Sequence, residues 1–465
     1  MAYLWPHRDG ILSYTALCPV RPWRRRRRRR DVGHSGGVGV RRAAFDLIRS
    51  STVDDENPLR LDRGCRDPIR DCWRNHWRDL QTSFAYNDIA NPFGTAPSPW
   101  GRQIIAFECS SLKGEGSASM VPRETPAALG YRMPAEWEPH IATWLSWPRR
   151  EGISFPDSLD RVMPALRAMV AALIESEEVC INVCNSAHEA EARQVLHGLP
   201  MERMSFHMIP TNEPWCRDHG PMFLTRDLDP KLAIVDWDYN AWGSKYPPFD
   251  LDEIVPTRVA EMLKLPVFYP GVILEGGSID VNGAGALLTT ESCLLNRNRN
   301  PHLSRGEIEQ RLRDYLNVRE IFWLGHGIAG DDTDGHIDDL ARFVSEHTVV
   351  TVVEEDPGDE NYEPLQENLA RLREMKIDNR EIDIVTLPMP KKIVREALRL
   401  PASYPNFYVA NSCVLVPTFA DPADEPALSI LRNLFPDRRV IGIDCRELIW
   451  GLGTFHCLTQ QQPAV

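Results

Sequence analysis

The segment Trp450-Gly-Leu-Gly-Thr-Phe-His-Cys-Leu-Thr-Gln-Gln-Gln-Pro463 lies at the end of the chain and sets a cysteine among glycines and polar side chains. That cysteine, Cys457, would be a poor core residue in such surroundings, so it is a candidate for chemistry. If the last strand carries part of a site, the chain has to bring its two ends together. We therefore expect this segment to lie close to the start of the fold.

The composition of the 465 residues is that of a globular protein and excludes several other classes. No run of about 18 apolar residues occurs, so we expect no membrane-spanning helix. The eleven cysteines are scattered, without a Cys-x-x-Cys or His-x-x-x-His pair, which argues against a zinc module and against a disulfide scaffold. Reduced thiols in a cytoplasmic protein are the simpler interpretation.

Charge divides the chain unevenly. Residues 1–119 hold 20 basic and 13 acidic side chains, whereas the remainder holds 33 basic and 53 acidic side chains. The run Arg24–Arg30 is entirely arginine, which allows a nucleic-acid patch, but the acidic body should repel nucleic acid. We expect residues 1–119 to be a disordered or non-native N-terminal extension, with Met120 as the start in the second case. Residues 120–465 are expected to form a single domain.

Apolar periodicity alternates between helical and strand spacing from residue 137 onward, which indicates an α/β fold. The predicted helices are Asp160–Ser176, Ala187–His197, the segment from Ser304 to Leu316, Tyr362–Met375 and Glu425–Leu434. The predicted strands are Val179–Val183, Ser205–Ile209, Lys231–Asp238, Glu320–Leu324, Val349–Glu354, Ile382–Leu387, Phe407–Pro417 and Val440–Asp444. A capping box, Ser304-Arg-Gly-Glu307, begins the third of these helices.

Four segments combine turn glycines with carboxylates in otherwise apolar surroundings. They are Trp215–Pro221, Leu274–Ser278, Asp331–Asp338 and the Cys457 segment. Glycines let a backbone approach a ligand closely, and carboxylates that share a cleft of low dielectric need cationic partners. Asp331–Asp338 lacks the EF-hand spacing and its terminal bidentate glutamate, which argues against calcium. No glycine-rich phosphate loop occurs, so nucleotide binding is unsupported.

A thiolate, a histidine and several carboxylates together suit attack on a cationic carbon. Guanidinium fits this description, because it is planar, permanently charged and presents N–H donors in a fork that matches carboxylates. Two aspartates that grip its nitrogens would leave the central carbon open to sulfur. These residue types therefore favour a small guanidinium compound as the ligand.

The four segments, in this order, resemble those of the guanidine deiminases of the agmatine deiminase and bacterial peptidyl-arginine deiminase family. The resemblance covers about residues 128–463 and includes Asn240-Ala-Trp-Gly243, Thr289-Thr-Glu-Ser-Cys-Leu-Leu-Asn296 and Asn298-Arg-Asn-Pro301. It implies a pseudo-fivefold α/β propeller (pentein) of ββαβ-type modules, with the site at the central axis. It also implies no metal and no organic cofactor. In a closed propeller the last strand lies beside the first.

The resemblance implies a role for each motif residue. Cys457 is the nucleophile and His336 is the general acid and base. Asp218 and Asp338 hold the guanidinium. Glu275 is a further catalytic-site residue that binds the substrate or orients His336, with a buried ion pair as the alternative.

Trp215 is expected to pack against the aliphatic chain or the cation of the substrate, with structural packing as the alternative. His456 matches the histidine that precedes the cysteine in the family's motif. Because neighbouring residues of a strand point to opposite faces, we expect His456 to lie outside the catalytic set and Asp339 to face away from it. Cys216 and Cys293 are expected to be structural thiols.

The resemblance implies hydrolysis of a guanidinium group to a ureido group and ammonia through a thiouronium intermediate on the cysteine. We favour agmatine, which would give N-carbamoylputrescine on the way to putrescine, because a small metabolite suits a chain without a secretion signal. Peptidyl-arginine, converted to citrulline, is the alternative substrate. An amidinotransferase, a non-catalytic guanidine binder and a nucleic-acid-associated protein are further alternatives. A homo-oligomeric state is left open.

Overall fold

Small mixed sheets dominate residues 124–155 and 157–465, which are the residues described by the computed structural model. The strands are β1 (His140–Ser146), β2 (Glu178–Asn182), β3 (Met204–His207), β4 (Met222–Thr225), β5 (Leu232–Val235), β6 (Val267–Phe268), β7 (Ile279–Val281), β8 (Ala286–Thr290), β9 (Glu320–Leu324), β10 (Ala341–Phe343), β11 (Thr348–Val353), β12 (Lys376–Ile377), β13 (Arg380–Glu381), β14 (Asp383–Pro388), β15 (Val394–Arg395), β16 (Leu398–Arg399), β17 (Tyr408–Val409), β18 (Cys413–Thr418), β19 (Arg439–Asp444) and β20 (Thr459–Pro463).

Helices connect many of these strands. They are α1 (Leu159–Leu173), α2 (Ser186–Val195), α3 (Cys216–His219), α4 (Ala241–Ser244), α5 (Val255–Leu263), α6 (Glu291–Leu294), α7 (Arg305–Leu316), α8 (Tyr362–Glu374), α9 (Asp424–Leu434) and α10 (Phe455–Leu458). Single 3₁₀ turns occur at Met201–Arg203, Gly276–Ser278, Ile337–Asp339 and Leu448–Gly451. None of the helices in this described part is long and apolar enough to cross a membrane.

One arrangement is repeated in five sheets. A first strand pairs antiparallel with a central strand, and a third strand returns parallel to the central strand after a helix. The sheet orders are β4-β5-β6, β7-β8-β9, β10-β11-β14, β17-β18-β19 and β20-β1-β2-β3. The helices between the central and third strands are α5, α7, α8, α9 and α1, respectively. This fivefold ββαβ repeat confirms the predicted pseudo-fivefold α/β propeller.

The last strand completes the first module. Strand β20 pairs antiparallel with β1, with Thr143 opposite Gln461 and Trp144 opposite Gln460. The indole Nε1 of Trp144, which is fully buried, donates a hydrogen bond of 2.9 Å to Oε1 of Gln462. The C-terminal segment therefore lies beside the first strand, as expected from the position of its cysteine.

The central strands are mostly apolar and buried because both of their faces are covered. Examples are the buried runs Val349–Val350 in β11 and Val414–Val416 in β18. Helix α7 begins at the predicted capping box, in which the side chains of Ser304 and Glu307 each accept a backbone N–H of the other residue. Its buried residues Ile308, Leu312 and Leu316 follow helical spacing and form its inner face.

Two predicted strands differ from the structure. The predicted strand Phe407–Pro417 is a hairpin, β17 and β18, because Asn411 and Ser412 form a turn and the N–H of Ala410 bonds to the carbonyl of Cys413 at 2.8 Å. The predicted strand Lys231–Asp238 is limited to β5, Leu232–Val235. The expectations for residues 1–119, including the domain boundary near residue 120, lie outside the described residues.

Candidate active site

Each of the five modules contributes a side chain to one buried cluster, from the turn that leads into its first strand. Asp218 lies in α3 before β4, Glu275 lies before β7, and Asp338 lies before β10. Asn406 lies before β17, and Cys457 lies in α10 before β20. The repeat of the fold is therefore also the repeat that assembles the cluster, and the last strand is needed to complete it.

Cys457 is 6% exposed, and its sulfur has two polar neighbours. Nδ2 of Asn406 donates to Sγ at 3.1 Å, and Oδ2 of Asp338 lies 3.6 Å from Sγ. Burial, followed by the negative charges of Asp338 and Asp339, raises the pKa of the Cys457 thiol well above its ordinary value. Without a cation beside it, Cys457 is therefore a thiol.

The turn that carries Cys457 is helical and not extended. Residues Phe455–Leu458 form α10, and strand β20 begins only at Thr459. The expectation that His456 and Cys457 alternate across a strand is therefore wrong. In a helical turn successive side chains are about 100° apart, and Nδ1 of His456 bonds to Oδ2 of Asp338 at 2.7 Å.

Asp338 is fully buried, and its two oxygens differ. Oδ2 accepts from His456, whereas Oδ1 has no hydrogen-bond partner within the described residues. Burial alone would raise the pKa of Asp338, but His456 and then His336 outweigh it, and the pKa lies below its ordinary value. Oδ1 of Asp338 is thus left for a donor that residues 124–155 and 157–465 do not supply.

Asp218 is held from both sides by the backbone and by an indole. The N–H of Gly277 donates to Oδ1 at 3.0 Å, and Nε1 of Trp242 donates to Oδ2 at 3.0 Å. Gly277 has to be glycine here, since a Cβ on it would lie 2.6 Å from Nδ1 of His336 and 2.8 Å from Oδ1 of Asp218. Burial raises the pKa of Asp218, and the charge of His336 opposes that rise.

His336 lies between two carboxylates. Its Nδ1 is 3.7 Å from Oδ1 of Asp218, and its Nε2 is 4.0 Å from Oε2 of Glu275. Neither nitrogen has a hydrogen-bond partner within the described residues. Although burial would lower the pKa of His336, Asp218 and the neighbouring thiol of Cys293 outweigh it, and the pKa lies well above its ordinary value. The carboxylates on either side of the ring therefore favour the imidazolium form of His336.

Glu275 is anchored through one oxygen only. Its Oε1 accepts from Nε of Arg299 at 2.6 Å, whereas Oε2 has no hydrogen-bond partner in the described part of the chain. Arg299 also bonds to Asp334 at 2.7 Å, and Asp334 bonds to Lys245 at 2.8 Å. Both predicted alternatives for Glu275 are therefore present in the geometry: a buried ion pair and an oxygen aimed at His336.

Trp215 is buried beside the Cys457 turn. Its Nε1 donates to Oγ of Ser154 at 2.9 Å, and its ring lies 5.9 Å from the ring of Phe155. A Cβ on Gly453 would come within 2.7 Å of the Trp215 ring and 3.1 Å of Sγ of Cys457. Gly453 thus allows the indole and the sulfur to lie close together.

The segment that supplies Trp242 has a strained backbone. Ala241, Trp242, Gly243 and Ser244 have φ angles of 50°, 55°, 88° and 63°, so α4 is one left-handed helical turn. For residues other than glycine this conformation costs roughly 1–2 kcal/mol each. Such strain persists where it serves a purpose, and here it directs the Trp242 indole to Asp218.

Unsatisfied polar atoms converge in this cluster. They are Oδ1 of Asp338, Oε2 of Glu275 and both ring nitrogens of His336, all buried. Of these atoms, Oδ1 of Asp338 and Oε2 of Glu275 are acceptors, and buried acceptors without donors are costly, so the cluster is suited to a cation that supplies N–H groups. Within the described residues, one group of possible metal ligands was found, Glu275, Cys293 and His336, whose donor atoms lie within 4.8 Å of one another.

All six side chains predicted for the site lie in or against this cluster. Three contributors were not identified from the sequence: Asn406, Trp242 and Arg299. Trp242 and Arg299 lie in two segments that support the resemblance, Asn240–Gly243 and Asn298–Pro301. Membership in these segments could have identified both residues as contributors to the site. Asn406 had no signal, because it was placed at the edge of a continuous strand.

Comparisons with known proteins agree with this geometry. Residues 132–463 match the model of the Porphyromonas-type peptidyl-arginine deiminase family. The chain is 38% identical to an agmatine deiminase of Pseudomonas syringae over 369 residues, which covers 73% of this chain and 97% of the relative. It is 36% identical to an agmatine deiminase of Medicago truncatula over 374 residues, which covers 73% of this chain and 98% of the relative.

Solved structures are similar over the same part of the chain. The agmatine deiminase of Enterococcus faecalis superposes with a TM-score of 0.69 at 33% identity, covering 74% of this chain and 98% of that one. A cysteine-to-serine variant of the Campylobacter jejuni agmatine deiminase, solved with substrate bound, superposes with a TM-score of 0.66 at 31% identity. That match covers 71% of this chain and 96% of the C. jejuni chain.

Proposed function

The chain belongs to the Porphyromonas-type peptidyl-arginine deiminase family, and from this membership we propose that it hydrolyses agmatine to N-carbamoylputrescine and ammonia. The family and the enzyme class predicted from the motifs are confirmed. The observation that supports the reaction most strongly is the buried thiol of Cys457 beside carboxylates whose free oxygens lack donors.

The carboxylates bind the guanidinium group of the substrate. Asp218 and Asp338 take the guanidinium N–H groups in charge-assisted hydrogen bonds, with Oδ1 of Asp338 as one acceptor. Glu275 faces the substrate or His336 through Oε2. This arrangement holds the guanidinium plane and leaves its carbon open to Sγ of Cys457.

The arriving cation also activates the nucleophile. In the free site the carboxylates and burial keep Cys457 protonated. A permanently charged guanidinium beside the sulfur offsets the negative charge of the carboxylates and favours loss of the thiol proton to solvent. The thiolate then attacks the guanidinium carbon and forms a C–S bond, which gives a tetrahedral adduct.

His336 transfers the protons. As an imidazolium it protonates one amino group of the adduct, the C–N bond breaks and ammonia leaves, so that a thiouronium remains on Cys457. The neutral imidazole then takes a proton from water while the hydroxide oxygen bonds to the same carbon. The C–S bond then breaks and returns the thiolate, and the hydroxyl proton is lost to solvent, which leaves the neutral ureido product.

Agmatine is favoured over arginine by the cations of the site. Free arginine would bring a carboxylate, which requires an unpaired cation. Among the described residues, three buried arginines lie near the cluster, and each is paired: Arg217 with Glu136, Arg299 with Glu275 and Arg342 with Asp280. The depth of the site, with Cys457 only 6% exposed, favours a slender alkylguanidine over an arginine in a protein backbone. Two of the solved relatives are described as agmatine deiminases.

Ammonia and ureido product should be measured with agmatine, free arginine and an arginine-containing peptide at equal concentrations. We expect turnover of agmatine, with kcat/KM at least about 100-fold above that for either competitor, a ratio typical of sites that leave a wrong partner's polar group unpaired. The C. jejuni precedent of a serine variant with bound substrate supports Cys457→Ser as the inactive control. Preferential turnover of the peptide would show that peptidyl-arginine, and not agmatine, is the substrate. Absence of ammonia release with every substrate would refute the proposal.

A further inference from the structure

His456 joins the nucleophile turn to a buried carboxylate outside the cluster. Its Nδ1 donates to Oδ2 of Asp338 at 2.7 Å, and its Nε2 lies 2.9 Å from Oε2 of Glu136. The imidazole is 2% exposed. The two contacts therefore place His456 between the carboxylates of Asp338 and Glu136.

Glu136 is fixed by groups from several parts of the fold. Its Oε2 accepts from Arg217 at 3.0 Å, and its Oε1 accepts from the N–H of Val409 at 2.8 Å and forms an ion pair with Arg342 at 3.0 Å. Burial would raise the pKa of Glu136, but Arg342 and His456 outweigh it, and the pKa lies well below its ordinary value. Glu136 is thus an ionised carboxylate that cannot move away from His456.

Asp338 and Glu136 share His456 as a partner. Substitution of His456 would leave Oδ2 of Asp338 without its partner at 2.7 Å in a fully buried position. A buried carboxylate that loses such a partner is penalised in its charged form, so the pKa of Asp338 should rise.

We propose that His456, clamped by Glu136, is a positioning residue that keeps Asp338 ionised and turned so that its Oδ1 faces the guanidinium of the substrate. The geometry gives the reason: Oδ2 is occupied by His456 and points to Cys457, which leaves Oδ1 as the acceptor without a donor. The inference rests on the proposed function and extends it to the residues that set the shape and charge of the guanidinium subsite.

A change at His456 should therefore alter the pH at which Asp338 loses its charge. The ionisable groups facing Asp338 are His456 and Cys457 from α10, Arg342 from β10, His336 and Asp339 from its own segment, and Asp218 from α3. His456 is the largest of the favourable influences on the pKa of Asp338. Its loss moves that pKa upward, whereas the other groups are retained.

Two measurements test the role. In a Cys457→Ser background, His456→Gln should weaken agmatine binding in a titration calorimeter by about 10–100-fold, as loss of a partner that orients a binding group does. In the otherwise native chain, His456→Gln should shift the acidic limb of the kcat/KM profile to higher pH. Glu136→Gln should shift the limb in the same direction by less, because it keeps the bond between His456 and Asp338.

His140→Gln is the matched control, since His140 is also buried and also contacts residue 136, but through the backbone carbonyl of Glu136 at 2.6 Å. It should leave the acidic limb in place. If His456→Gln does not fold, Glu136→Gln carries the test. An unshifted limb and unchanged binding in folded His456→Gln would overturn the positioning role. Failure of the proposed function would look different, because the native chain itself would then release no ammonia from agmatine.

Discussion

The side-chain amide of Asn406 donates to Sγ of Cys457 at 3.1 Å, and its oxygen accepts from Oγ1 of Thr454 at 2.7 Å. The same Nδ2 lies 3.1 Å from Oδ1 of Asp339, so that carboxylate, expected to face away, is linked to the nucleophile through Asn406. Asn406 thus fixes the Cys457 turn to the fifth module and supplies a donor to the sulfur. A donor stabilises a thiolate more than a thiol.

Asn406→Ala should slow both alkylation and turnover. A hydrogen bond to a charged group contributes about 1.5–3 kcal/mol, which corresponds to about 10–100-fold in the rate at neutral pH. Iodoacetamide inactivation, followed with time, measures the thiolate directly. Asn411→Ala, in the neighbouring turn of the same hairpin, is the control, and an Asn406→Ala protein as reactive as this control would exclude the proposed donor role.

Gly277→Ala should abolish most activity while leaving the chain folded. The added Cβ would lie 2.6 Å from Nδ1 of His336 and 2.8 Å from Oδ1 of Asp218, so both side chains must move. A displacement of about 1 Å costs around 100-fold in rate. Gly306→Ala is the matched control, because nothing lies within 4 Å of its Cβ, and in α7 it should stabilise by about 0.5–1 kcal/mol. Steady-state kinetics and thermal unfolding together report the result, and full activity in Gly277→Ala would contradict this account of the site.

Alkylation of Cys457 by a neutral reagent should titrate in the alkaline range. Burial and then the charge of Asp338 raise the pKa of its thiol, so the rate constant in the free enzyme should still be rising at pH values above the ordinary thiol pKa of about 8.5. Asp338→Asn should move the titration to lower pH, because a negative charge near the sulfur is removed. A rate that levels off below neutral pH in the native chain would show that the thiolate exists without substrate.

The contribution of His336 to stability should depend on pH in the opposite direction to that of a carboxyl group whose pKa is lowered on folding. Its pKa is raised in the folded chain, so its stabilising contribution is fully present below the unfolded pKa of about 6.5 and is lost as pH rises through the folded pKa. His336→Asn should therefore lower the free energy of unfolding near pH 6 and have less effect in the alkaline range. Urea unfolding at several pH values measures this difference, and a pH-independent difference would contradict it.

Closure by the last strand should control access to the site. Trp144→Ala removes a fully buried side chain and its bond to Gln462, and it should destabilise the fold by about 3–5 kcal/mol. Because β20 follows directly on the Cys457 turn, the variant should also make Cys457 more accessible to alkylation. An unchanged rate of Cys457 alkylation in a destabilised but folded variant would show that the pairing of β20 with β1 does not control access to Cys457.

Short sequence motifs predicted the site residues that lie in glycine-containing turns. Asp218, Glu275, His336, Asp338 and Cys457 stand in turns with glycines, and the turn chemistry marks them before any contact is known. The capping box at Ser304 predicted the start of α7 for the same reason.

The remaining contributors depend on contacts between distant parts of the chain. Glu136 meets His456 only because the last strand closes the first module. Asn406 directly precedes a predicted strand, Phe407–Pro417, that is a hairpin in the structure, and no local pattern marked it. His456 was misplaced because a period of two was applied to a helical turn, and no single-segment pattern distinguishes those two conformations over four residues.

The most direct test of the account is acid quenching of the enzyme during turnover of agmatine, followed by mass spectrometry of the intact chain and of its peptides. We expect an adduct with the mass of agmatine less ammonia on the peptide that contains Cys457, absent from Cys457→Ser, which should also release no ammonia. Steady ammonia release by folded Cys457→Ser, or an adduct confined to another cysteine such as Cys293, would contradict the central claim.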